Sequence, residues 1–140
     1  MNKAAVVFWS GTGNTEAMAQ AVVEGVKGKG AEVDCIGASD FSSARVKDYD
    51  AIAFGCPAMG AEVLEETEFE PMFTDVEGAL SGKRIALFGS YGWGDGQWMR
   101  DWEERCERAG AVMVCASVIA NSAPDENALD ECRALGAALA

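Results

Sequence analysis

Ser10-Gly11-Thr12-Gly13-Asn14-Thr15 sets three side-chain hydroxyls, one amide and two glycines in six residues, with no charge among them. The stretch follows an apolar run, Ala4-Ala5-Val6-Val7-Phe8-Trp9, and precedes a helical pattern. A loop of this make-up between a strand and a helix suits an anion, because its backbone N–H groups converge and the helix N-terminus adds a positive partial charge. The absence of a lysine narrows the choice. A nucleoside-triphosphate loop reads G-x-x-x-x-G-K-[ST], with a lysine for the terminal phosphates. The dinucleotide fingerprint G-x-G-x-x-G needs a third glycine where Glu16 stands. Two readings remain: a site for one phosphate monoester, or a plain Gly/Ser/Thr turn with an ordinary N-cap.

Two further stretches bear on that choice. Gly55-Cys56-Pro57-Ala58-Met59-Gly60-Ala61-Glu62 is apolar and glycine-bearing where a surface loop is normally polar. Gly89-Ser90-Tyr91-Gly92-Trp93-Gly94-Asp95-Gly96 sets two aromatics among four glycines. The glycines beside Trp93 leave it no strand or helix to pack from, and a large flat side chain on such a backbone suits covering a planar ligand; the other reading is a buried anchor. Met59 offers a polarizable contact for the opposite ring face, or plugs the core. Trp98 and Trp102, at helical spacing, read as core. Together these parts describe a planar heterocycle between Met59 and Trp93, joined by a polar chain to a phosphate at residues 10–15. FMN fits that description, and a nicotinamide dinucleotide does not.

The elements that must position these loops alternate in type. Lys3–Trp9 reads as a buried strand, and Met18, Ala21, Val22, Gly25 and Val26 mark a helix closed by Gly28 and Gly30. Ala31–Gly37 reads as a second strand, followed by a polar stretch, Ser39 to Asp50, with one short helix. Ala51–Gly55 is wholly apolar, as a central parallel strand is. Phe69, Met72, Phe73, Val76 and Leu80 mark the next helix, and Arg84–Gly89 the fourth strand. Trp98, Trp102, Cys106 and Ala109 mark a helix, Val112–Ile119 a fifth strand, and Ala128, Leu129, Cys132, Leu135 and Leu139 a last helix. Five such units predict a single α/β domain over 1–140: a doubly wound, five-stranded parallel sheet with helices on both faces. Its commonest order is 2-1-3-4-5, with the ligand crevice at the carboxyl ends of strands 1 and 3. The unusual loops follow strands 1, 3 and 4, where that order requires them.

Val6 to Val22 resembles the flavodoxin signature, through Val6-Val7-Phe8, Ser10, Gly13, Thr15, Ala19 and Val22. The loops at 55–62 and 89–94 are similar to those of short-chain flavodoxins of anaerobic bacteria, and strand 5 lacks the long inserted loop of the long-chain class. The resemblance implies a low-potential one-electron carrier with non-covalent FMN, shuttling between semiquinone and hydroquinone and able to stand in for ferredoxin. By position, Ser10 to Thr15 would bind the phosphate, Met59 would lie on the inner flavin face and Trp93 on the outer. Glu62 would accept the flavin N3–H, Ser90 to Gly94 would line the ring, and Trp9, Pro57, Ala58 and Asn121 complete the set, Asn121 as a ribityl contact.

The resemblance also implies that the Gly60–Ala61 peptide turns its carbonyl toward flavin N5 when the semiquinone forms. Met59 to Glu62 would then be a type II turn asking for φ > 0 at Ala61. Relatives often carry glycine, asparagine or aspartate there, and alanine in left-handed space costs about 1–2 kcal/mol. At about 40 mV per kcal/mol for one electron, Ala61→Gly is expected to raise the oxidised/semiquinone potential by tens of millivolts. A redox titration checks this, and an unchanged or lowered potential contradicts it.

Composition excludes other classes. The net charge of −12 makes nucleic acid and anionic membranes poor partners and favours redox proteins with basic docking faces, ferredoxin-type reductases or hydrogenase. Histidine is absent, which removes His-based triads and His metal ligands. Five cysteines (Cys35, Cys56, Cys106, Cys115, Cys132) form no C-x-x-C pair, and four of them lie in apolar patterns that suit reduced, buried thiols. No metal site is expected. No signal peptide or membrane span is read, so a cytoplasmic monomer is expected. Glu62, Glu65, Glu66, Glu68 and Glu70 crowd one loop end. They suit a solvated helix start, or a field that lowers the second potential and steers a basic partner. An FMN-dependent quinone or nitro reductase is the alternative on the same fold. A receiver domain is excluded, because Trp9-Ser10 and Cys56-Pro57 stand where its acidic residues belong. A Cys-x₅-Arg phosphatase loop fails at Glu62.

Overall fold

The computed structural model describes residues 3–60, 62–92 and 94–140. In chain order these form β1 (Lys3–Phe8), α1 (Asn14–Gly28), β2 (Glu32–Gly37), β3 (Ala51–Gly55), α2 (Phe69–Glu77), β4 (Arg84–Tyr91), α3 (Gln97–Arg108), β5 (Val112–Met113), β6 (Val118–Asn121) and α4 (Glu126–Leu139). The sheet runs β2-β1-β3-β4-β5, with β6 also on β4, and its strand pairs are parallel. This is the expected 2-1-3-4-5 order.

Strand alternation divides the core into two layers. Ala5, Val7, Ile52, Phe54, Ile85 and Leu87 face α2 and α3 with Phe69, Phe73, Trp98 and Trp102. Ala4, Val6, Ala51, Ala53, Ala86 and Phe88 face α1 and α4. The second face is mostly alanine because α1 and α4 lie close upon it, whereas the first leaves room for four aromatic rings. Both tryptophans expected in the core, Trp98 and Trp102, are 2% exposed.

Three local expectations are corrected. The fifth strand is broken: Met113 pairs with Ile85 and Val118 with Phe88, so the four residues 114–117 lie opposite only two, 86 and 87. Two extra residues keep the side-chain alternation in phase, so Val118 and Ala120 are buried and Ile119 is exposed. Ser39 to Asp50 holds two 3₁₀ turns, Ala38–Asp40 and Ser43–Asp48, rather than one helix. Its anchors Phe41, Val46 and Tyr49 are too unevenly spaced for one α-helical face. Three thiols rather than four are buried. Burial pushes Cys56, Cys106 and Cys132 up to about 12, while Cys115 sits half-buried in the bulge and Cys35 is exposed on the edge strand.

Candidate functional site

A cleft of about 240 Å³ opens at the carboxyl ends of β1, β3 and β4, where the sheet order reverses. Trp9, Ser10, Gly11, Thr12, Asn14 and Thr15 line it from the loop after β1. Pro57, Ala58 and Met59 line it after β3, Ser90, Tyr91 and Gly92 from the end of β4, and Ser122 after β6. Ser122 was not singled out by sequence. It follows the last strand at once, has φ 59°, and donates its amide to Tyr91 O at 2.7 Å. Asn121, expected here, is an exposed strand residue outside the cleft, because it falls on the outward side of the Val118–Asn121 alternation.

The loop at 10–15 is built as an amide cradle. Gly13 takes φ 95° at the N-cap of α1, where a side chain would be strained. Ser10 Oγ accepts from the amides of Gly13 at 3.1 Å and Glu16 at 3.2 Å, which leaves its own hydrogen free to donate. Among the described residues, the amides of Gly11, Thr12, Asn14 and Thr15 have no protein acceptor. Thr15 is 1% exposed, and its hydroxyl shares a 3.0 Å hydrogen bond with Ser90, tying the helix start to β4. No lysine or arginine is among the lining residues.

The loop after β3 is closed by a pair of backbone hydrogen bonds. Met59 and Val63 exchange two backbone hydrogen bonds, Met59 N to Val63 O at 2.9 Å and Val63 N to Met59 O at 3.1 Å. Between them φ is 43° at Gly60 and 58° at Glu62. Ala61 and Trp93 lie outside the described residues, so the expectations placed on them stand on sequence alone. Gly60 is exposed, and Glu62 and Gly94 meet each other rather than the cleft. A Cβ built on Gly94 would stand 2.5 Å from Glu62 Oε1, an atom that is buried without a hydrogen-bond partner among the described residues.

The five glutamates do not form one solvated face. Glu65 is 5% exposed and accepts the amides of Thr67, Glu68 and Phe69 at 2.8–2.9 Å, together with the Thr67 hydroxyl. Burial raises its carboxyl, but these donors outweigh burial and hold it down at about 2. Glu70 is pushed up by burial and pulled below the carboxylate range by Arg105 and Thr74; Arg105 forks onto it at 2.7 and 2.9 Å. Only Glu66 and Glu68 are exposed.

The flavodoxin family model matches residues 6–136, nearly the whole chain. The chain belongs to the flavodoxin family. A flavodoxin of Clostridium beijerinckii is 50% identical over 121 residues, covering 86% of this chain and 88% of that one. A flavodoxin of Megasphaera elsdenii is 49% identical over 135 residues, covering 96% of each. The solution structure of two-electron reduced Megasphaera elsdenii flavodoxin superposes with a TM-score of 0.90 at 47% identity and 97% coverage of both chains. The chain is thus a short-chain flavodoxin similar to those of anaerobes, an FMN-binding electron carrier rather than an enzyme, and the quinone or nitro reductase reading is not favoured. The residues present fit FMN, since unpaired amides with no cation beside them match a phosphate. Among the described residues no helix is long and apolar enough to cross a membrane, and no acidic or thiol cluster could hold a metal.

Proposed function

We propose that the cleft holds FMN with its phosphate on Ser10, Gly11, Thr12, Gly13, Asn14 and Thr15. Trp9, Pro57, Ala58, Met59, Gly60 and Ala61 bound the ring system from the β1 and β3 side, and Ser90, Tyr91, Gly92, Trp93 and Gly94 from the β4 side. Ser122 takes the ribityl contact in place of Asn121, and Glu62 receives N3–H. Bound FMN supplies low-potential one-electron transfer. The observation that carries this reading is the run of free amides at Gly11, Thr12, Asn14 and Thr15, opening onto a cleft that the other two loops complete. Ser10 organises the run by accepting two amides, and the Thr15–Ser90 bond fixes it to the sheet. With no cation on the lining, the phosphate charge stays uncompensated beside the ring, which disfavours adding further negative charge there. The test is titration of the apoprotein with FMN. A yellow, stoichiometric complex is expected, and a protein that takes up no FMN overturns the reading.

The finer reading of its partners is also ours. A net charge of −12 favours redox proteins with basic docking faces, ferredoxin-type reductases or a hydrogenase, reached by a cytoplasmic, monomeric domain spanning 1–140. Stopped-flow association with such a partner should slow at least about tenfold between low and physiological salt, as steered encounters do. A salt-independent rate removes steering.

A further inference from the structure

We propose that Glu68 is a positioning residue for the phosphate loop, acting through Trp9; the inference rests on reading the cleft as an FMN site. Trp9 lines that cleft and packs, half-buried, against the aromatic core layer. Its indole Nε1–H donates to Glu68 Oε2 at 3.1 Å, although the two residues are 59 apart in sequence. The opposite edge of the same ring lies against the loop. A Cβ built on Gly11 would stand 3.0 Å from Trp9 Cη2 and 3.3 Å from Cζ3. The indole is thus held at its nitrogen by a carboxylate and bears at its far edge on Gly11 of the amide cradle.

Glu68 is itself fixed. It is the N-cap of α2, and its amide donates to the buried Glu65 carboxylate at 2.8 Å. The chain of contacts therefore runs from a buried group, through Glu68 and the indole, to Gly11. Residues 9–12 belong to no helix or strand, so the ring supplies a stop for the loop backbone that secondary structure does not. Gly11 and Thr12 carry two of the four free amides, and their direction decides how well an anion is gripped.

Charge predicts the opposite sign. Glu68 is an exposed carboxylate on a protein of net charge −12, so by Coulomb's law alone its removal tightens phosphate binding. Positioning predicts that removal loosens it. Glu68→Gln separates the two further, since the amide oxygen still accepts from the indole while the charge is gone.

The experiment uses the full chain as apoprotein, titrated with FMN and with riboflavin, alongside ¹⁵N spectra that follow the Trp9 indole and Gly11 amide signals. Glu68→Ala is expected to weaken FMN about tenfold, the worth of one hydrogen bond to a charged group, and riboflavin, which has no phosphate, by much less. It also shifts both signals in the apoprotein. Glu68→Gln restores most of the FMN affinity and both signals, and in a Trp9→Phe background Glu68→Ala has no further effect. FMN bound as tightly or more tightly by both Glu68 variants overturns the proposal, as do equal losses for FMN and riboflavin or an unmoved Gly11 signal. If the unaltered protein takes up no flavin, the site reading fails, whereas the apoprotein signals still decide whether Glu68 positions the loop.

Discussion

Gly136→Ala is expected to lower the melting temperature by about 7 °C, the equivalent of about 2 kcal/mol in a domain of this size. A Cβ at Gly136 in α4 would stand 2.1 Å from Val22 O and 3.0 Å from Val26 N of α1. The contact is reciprocal, since a Cβ at Gly25 in α1 would stand 2.0 Å from Arg133 O of α4. Helix propensity alone favours alanine over glycine by about 1 kcal/mol. Overpacking opposes it with about 3 kcal/mol, because the obstructing atoms are backbone and no rotamer change relieves them. The helices must part instead. Gly25→Ala should behave alike, and the double variant should cost less than the sum, since one separation makes room for both methyls. Because α1 begins at Asn14, its displacement also reaches the phosphate loop, and FMN affinity should fall with stability. Thermal melts of the apoprotein with FMN titration check both, and a melting point within a degree of the parent contradicts the account.

Glu65→Gln is expected to cost about 2–3 kcal/mol at neutral pH, since an amide leaves backbone donors facing its NH₂ group. One carboxylate serves three amides and a hydroxyl at the start of α2, and it is 5% exposed. Its pKa, held down at about 2 against an ordinary 4.5, makes the effect pH-dependent. A carboxyl more acidic folded than unfolded gives stability that is present above the unfolded pKa and lost as pH falls through the folded one. The shift corresponds to about 3 kcal/mol, most of it lost between about pH 5 and 2 and the rest below. Urea unfolding of both proteins across this range should show the parent's advantage shrinking as the pH falls. Subtracting the two curves removes the background from the other acidic groups. A difference that stays constant down to pH 2 defeats the explanation.

Neither Gly25 nor Glu65 is revealed by sequence alone. Gly25 sits in a visible helical pattern, and nothing local distinguishes it from the exposed Gly28. Glu65 is one of five glutamates within nine residues and reads like its neighbours, yet it lies inside while Glu66 lies outside. The turn closed by Met59 and Val63 directs that chain inward, a consequence of pairing that no residue type announces.

The site divides along the same line. The amide cradle at 10–15, the apolar loop at 57–59 and the glycine-rich loop after β4 were legible because each is a local departure from what its position demands. Hydroxyls and glycines begin a helix, apolar residues fill a loop, and aromatics stand among glycines. Strand order followed from the alternation of buried strands and amphipathic helices, since parallel strands need helical crossovers. The bulge at 114–117 was not legible, because an apolar run reads alike whether or not it slips against its neighbour. That two-residue slip brings Ser122, where an unbroken register would bring Ala120, to the end of the strand beside the cleft.

What the sequence by itself determined is the kind of protein: a doubly wound sheet carrying an uncharged amide cradle and two unusual loops at its switch point. These rest on short-range preferences, of amides at a helix start and of apolar residues at period two or four. Tertiary structure alone decided which glutamate is a buried cap, which glycines let two helices touch, and which indole bears on the loop. The Glu65 cap bonds are local, and only its burial comes from the rest of the fold. The helix and indole contacts need residues far apart in the chain to arrive within about 3 Å, where one atom more or less reverses the sign of a contact.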